Sequence, residues 1–143
     1  MISCIQRAKT KFLIAFLFAL AASFGVSTTG YAQGASLPVD DAGIVSAGES
    51  LYKNNCVVCH SVGSDVVVGP GMKGVNERRT QPWLISWTKN SQALIASGDK
   101  DAVAIYNQFN KQAMPSFAFS DDEIVSILTY IKSAEAAAAE APA

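Results

Sequence analysis

An all-α domain of short helices joined by long loops is what this sequence predicts, on three observations. Apolar residues recur at helical spacing in four or five short stretches. Capping residues stand ahead of the later stretches, and the single strand-like piece, Asp65–Gly69, has no evident partner. With 143 residues the chain can hold one ordinary domain but not two well-formed cores, and it contains no internal repeat.

The first helix is expected after Ala42, with Ile44, Ala47, Gly48 and Leu51 at i, i+3, i+4 and i+7 on one face. Residues 56–76 carry Gly63, Gly69, Pro70, Gly71 and Gly74 and read as loop. Thr80 is placed to cap a short helix with Pro82 in its first turn and Trp83 and Trp87 along it. Ser91 and Gly98 bracket another short helical segment, and Asp99 caps a helix with Ala102, Ile105, Tyr106 and Phe109 on one side. Residues 110–119 break the pattern, because Pro115 bars helix continuation. Ser120 and Glu123 then form a capping box, Asp121 and Asp122 suit the positive end of a helix, and Ile124, Ile127, Leu128 and Ile131 make the last apolar stripe.

The two ends read differently. Arg7, Lys9 and Lys11 precede an apolar run from Phe12 to about Val26, and Gly30-Tyr31-Ala32 offers small residues for a peptidase. That order describes a secretory signal peptide over 1–32, cleaved after Ala32, with an uncleaved membrane anchor as the alternative. Cys4 precedes the apolar run and so is not placed as a lipid-modified first residue. Residues 33–42 are a polar, flexible lead-in, 43–133 the domain, and 134–143 an Ala/Glu-rich tail expected as a frayed helix end or solvated linker. Removing three basic and no acidic residues takes the formal charge from −1 to −4. The remaining Lys and Arg are scattered, which argues against a nucleic-acid partner.

Four or five short helices and a long glycine-rich loop bury too little apolar surface to offset chain entropy comfortably, so something else should fill the middle. Cys56-Val57-Val58-Cys59-His60 supplies a filler, since Cys-x-x-Cys-His is the attachment pattern of haem c. Two thiols three positions apart can add to the two vinyl groups of one porphyrin, and the imidazole that follows can bind the iron. Three other readings compete. A zinc site needs four ligands, a redox dithiol needs a strand–helix setting, and a plain disulfide suits an oxidising compartment.

His60 is the only histidine, so two histidines cannot hold one iron within this chain. Met72 lies twelve residues after His60, too near to pass easily to the other haem face, and is expected as packing. Met114 lies fifty-four residues on, beyond at least two helices and fixed by Pro115, and is expected as the second axial ligand. The ordinary role of a methionine is core filler.

From about Gly43 to Ser133 the chain resembles class I c-type cytochromes, on Gly48-x-x-x-Tyr52, Cys56-x-x-Cys59-His60, Gly69-Pro70, Met114-Pro115 and a last helix with Ile127 and Tyr130. The resemblance implies the small cytochrome c fold around one covalent haem c. It implies that Gly48 lets the first and last helices cross closely, with Tyr52 and Tyr130 packed at the crossing. It further implies that Pro70 offers its carbonyl to His60 and that Met72 packs on the haem. A propionate contact from Trp83 is a further expectation, with core packing of Trp83 and Trp87 as the alternative; Arg78 and Arg79 are considered for the same role against plain solvation.

A His/Met iron has no open position for substrate. The expected function is therefore single-electron transfer in the periplasm or another exported compartment, by a monomer that is not an enzyme. Its partners would be redox proteins met briefly, with membrane association only if residues 1–32 are retained. A catalytic or gas-sensing haem protein is the alternative should Met114 not be a permanent ligand.

Overall fold

The structure, a computed structural model, describes residues 37–140. The predicted signal segment, Cys4, the start of the lead-in and the last three residues lie outside the described residues. Five helices follow in order: α1 Ala42–Asn55, α2 Val75–Arg78, α3 Gln81–Ala96, α4 Lys100–Gln108 and α5 Asp121–Glu140. The described residues contain no strand. Asp65–Gly69 contributes only an isolated antiparallel bridge between His60 and Val66.

α1 begins where Asp41 turns its carboxylate onto the amides of Gly43 and Ile44, at 2.9 and 3.1 Å. Its buried line is Gly48 and Tyr52, whereas Ala47, expected on the inner face, is exposed. The inner face is set by the crossing with α5. A Cβ on Gly48 would lie 1.9 Å from the carbonyl oxygen of Ser126, so the two backbones touch here and only glycine fits. One turn on, the rings of Tyr52 and Tyr130 meet at 5.5 Å between centroids.

α5 starts with the predicted capping box. The Ser120 amide and hydroxyl donate to Glu123 Oε2 at 2.8 and 3.0 Å, and the Glu123 amide returns a bond to Ser120 Oγ at 3.2 Å. Ile124, Ile127, Leu128 and Ile131 are all buried as the stripe predicted, and with Tyr52, Val75 and Leu84 they form the core. The helix does not end at Ser133 but runs to Glu140. Alanine has the highest helix propensity of any residue, and Glu135 is tied down by the Gly74 amide at 2.6 Å. Leu37, assigned to the lead-in, packs against the core.

α2 lies within the stretch read as loop. Its four residues are too few to show periodicity, and its place is fixed by tertiary contacts: Val75 is buried and Asn76 Nδ2 donates to the Leu128 carbonyl at 3.3 Å. α3 is kinked at Asn90, which has the non-helical φ/ψ of −160°/83°, so the two segments expected around Ser91 are one helix bent at their junction. Thr80 stands at the N-cap of α3 but makes no side-chain capping bond. Asp99 caps α4 by accepting from the Ala102 amide at 2.8 Å.

Gly48→Ala is expected to destabilise the protein by at least the roughly 1–3 kcal/mol typical of overpacking, because the obstacle is backbone; denaturant unfolding checks it. Accepting the Ser120 amide, and then its hydroxyl, holds the Glu123 carboxyl below its ordinary value of 4.5. A lowered folded pKa gives stability that is present above 4.5 and lost as the pH falls through the folded value. The gap in stability between the natural chain and Glu123→Ala should therefore be full near neutrality and shrink at acid pH, read as unfolding midpoints across a pH series.

Candidate functional site

α1 hands the chain directly to the cysteine motif. Cys56 is its C-cap, and the amides of Cys59 and His60 both bond the Cys56 carbonyl, at 3.0 and 2.9 Å. The turn therefore keeps helical spacing, which puts Cys56, Cys59 and His60 on one side. Both cysteines are partly buried. Burial, and then the neighbouring Cys59, push the Cys56 thiol up to about 11. Tyr52 is pushed up to about 12 by burial first, then by Cys56 and Tyr130. It stays a donor, and its hydroxyl bonds the His60 carbonyl at 2.7 Å.

The glycine-rich loop closes over His60 from the other side. His60 Nδ1 meets the Pro70 carbonyl at 2.8 Å. A carbonyl only accepts, so Nδ1 carries the proton and Nε2 keeps the free lone pair. The amides of Val68 and Gly69 bond the Cys59 carbonyl at 3.2 and 2.9 Å and hold the loop there. Gly69 lies flat against the imidazole: a Cβ would come within 2.4 Å of His60 Cε1. In sequence the glycine before Pro70 is part of a motif; this close approach is its physical reason.

These residues open onto a cavity of about 610 Å³, within the usual range for small-molecule and cofactor sites. Cys56, Cys59, His60, Pro70, Met72 and Met114 all line it, although they come from segments up to 58 positions apart. Asn110 and Lys111, with φ of 53° and 58°, turn the chain after α4 towards Met114. The Met114 carbonyl accepts from the fully buried Ser91 hydroxyl at 3.0 Å. In sequence Ser91 reads only as a helix boundary, and nothing there marks a buried serine as a brace. Met72 packs against the core cluster.

Trp83 and Trp87 stack at 5.2 Å between centroids, on the cavity wall. The Trp83 N–H donates to Asp99 at 3.1 Å, so a propionate contact from this indole would require that bond to be exchanged. Asp99 thus serves both helix and indole, and its carboxyl is held below the usual range by the Ala102 amide first and Trp83 next. Arg78 donates to the carbonyls of Lys73 and Gly71.

The donor set fits a porphyrin iron. Two thiols share one side with an imidazole whose free nitrogen is defined by its partner, a thioether comes from a distant segment, and the enclosed space is largely apolar. No cluster of three or more His, Cys, Asp or Glu suited to a metal ion occurs among the described residues, which leaves the zinc reading without a ligand set there.

The cytochrome c family profile matches residues 45–135. Among curated proteins, a cytochrome c-553-like protein of Synechocystis is 27% identical over 90 residues, covering 63% of this chain and 69% of the relative. A cytochrome c6 of Diacronema lutheri is 28% identical over 93 residues, covering 64% and 96%. In fold, a cytochrome c from Rhodothermus marinus superposes with a TM-score of 0.62 at 21% identity, over 73% of this chain and 84% of that one. The chain belongs to the cytochrome c family and is a class I c-type cytochrome. It is an electron-carrying haem protein with one covalently attached haem c.

Gly69→Ala is expected to drive either the loop or the imidazole aside and to break the bond between His60 and Pro70. Denaturant unfolding of the haem-loaded protein should register a loss of about 1–3 kcal/mol.

Proposed function

We propose that this chain is a diffusing one-electron carrier in which Cys56 and Cys59 hold the haem as thioethers and His60 and Met114 are its axial ligands. The observation that carries the reading is the bond from His60 Nδ1 to the Pro70 carbonyl, which fixes the tautomer and presents Nε2 as a ligand. Met114 supports it from the same cavity, its backbone braced by Ser91. The haem, when bound, supplies an iron that gains or loses one electron. With the haem bound, His60 and Met114 would hold the iron in both oxidation states and the apolar cavity wall would limit water, so little would rearrange as the electron moves. A thioether favours the ferrous form, so the potential should lie above that of a bis-histidine haem.

With both axial positions taken the protein carries electrons rather than transforming a substrate. Its donor and acceptor are redox proteins. Val57 and Val58, at 49% and 73% exposure, lie between the attachment cysteines, and Val67, at 54%, lies in the loop bonded to the Cys59 carbonyl. These apolar side chains suit a small, short-lived contact with those partners. We place the chain as a monomer in the periplasm or an equivalent exported compartment, on the basic, apolar and small-residue order of 1–32. No described helix is long and apolar enough to cross a membrane.

Met114→Ala should keep the haem through denaturing electrophoresis, lower the reduction potential and let carbon monoxide bind the ferrous protein. A variant that kept both its potential and its ligand-blocked spectrum would remove Met114 from the iron.

A further inference from the structure

The segment that carries Met114 has one polar tie. Among the described residues, 113–119 makes a single hydrogen bond to the rest of the chain, from the fully buried Ser91 hydroxyl to the Met114 carbonyl at 3.0 Å. Its other anchors are apolar: Phe117 lines the cavity, Phe119 packs against the core, and their rings stack at 5.2 Å between centroids. Pro115 has no amide hydrogen, so the peptide that follows Met114 can only accept. The tie therefore falls on the backbone of the proposed ligand itself.

Ser91 is also an exception among the helical hydroxyls. Ser86, Ser126 and Thr129 each donate to the carbonyl four residues back in their own helix, the local partner such side chains usually take. Ser91 instead reaches a residue 23 positions along the chain. Asn90 leaves helical geometry immediately before it, which takes Ser91 out of register with the turn it would otherwise bond. Parting this hydroxyl from its carbonyl leaves buried polar groups unpaired, and that is costly. A methionine swings away from an iron more easily when its backbone moves with it, so the tie opposes that motion.

We propose that the Ser91 hydroxyl is a latch on the sixth iron position: its bond to the Met114 carbonyl sets how readily Met114 gives way to an external ligand. This rests on Met114 being the axial ligand, as read above, and adds what regulates its release. Ser91 does not line the cavity, so it is a positioning residue that acts through Met114. An external ligand reads only the fraction of molecules with the methionine off the iron, so its apparent affinity reports the latch.

The test titrates imidazole into the haem-loaded, oxidised full chain and follows the visible spectrum. Ser91→Ala should bind imidazole about three- to tenfold more tightly than the natural chain, the factor one net hydrogen bond supplies. Trypsin should cut after Lys111 faster by a similar factor, since cleavage follows the population of the opened segment. Thr129→Val deletes another fully buried hydroxyl, one that is not on the cavity wall, and should leave both readings unchanged. An unchanged imidazole affinity or Lys111 cleavage rate in Ser91→Ala, or an equal gain in Thr129→Val, would overturn the latch while leaving Met114 as ligand. A natural chain that binds imidazole as tightly as Met114→Ala defeats the axial assignment instead.

Discussion

The crossing of α1 and α5 at Gly48 governs how the rest of the chain can be arranged. Because the backbones touch there, α1 has no freedom to slide or rotate on α5, and Tyr52, one turn later, is fixed against Tyr130. Tyr52 in turn donates to the carbonyl of His60. A contact between the first and last helices thus reaches His60 through a single side chain. The buried stripe of α5 is continuous with the cavity, since Ile124, Ile127, Leu128 and Ile131 line both. The same apolar residues close the helices together and offer a wall for the cofactor, so a chain with so few core side chains can afford to be mostly loop between α1 and α3.

The residues proposed to carry chemistry are legible because each belongs to a local pattern. Cys56, Cys59 and His60 stand in one turn, Pro115 marks Met114, and Ser120 with Glu123 announces α5. What sequence could not show is where a position depends on a distant neighbour. Ala47 has the right spacing to be inside, but the crossing at Gly48 turns the inner face towards Tyr52. α2 is too short to have a period and exists because Val75, Asn76 and the Gly74 amide are held by α5. The alanine-rich end looked like a tail by composition, yet the same alanines favour continuing a helix that is already nucleated and packed. Thr80 has the chemistry of a cap but not the bond. Capping depends on side-chain direction, which composition does not encode.

The bend in α3 shows how a local defect serves the site. Asn90 leaves helical geometry, and its Oδ1 accepts the Ala93 amide at 2.9 Å, acting as a new N-cap within the helix. Restarting the helix at this point places Ser91 fully inside, where its hydroxyl reaches the Met114 carbonyl. A straight helix would satisfy the Ala93 amide from its own backbone and would aim the following residues differently. The segment 110–119 has no regular structure of its own to position Met114. It is set instead by the left-handed pair at Asn110 and Lys111 on one side and by Ser91 on the other. His60 is held by Gly69 and Pro70 of the loop that follows it, while Met114 is held by Ser91 of α3, 23 positions earlier in the chain. The two proposed ligands therefore depend on different parts of the fold. Loosening α3 should disturb the methionine side well before the histidine side, an asymmetry that follows from where the hydrogen bonds run.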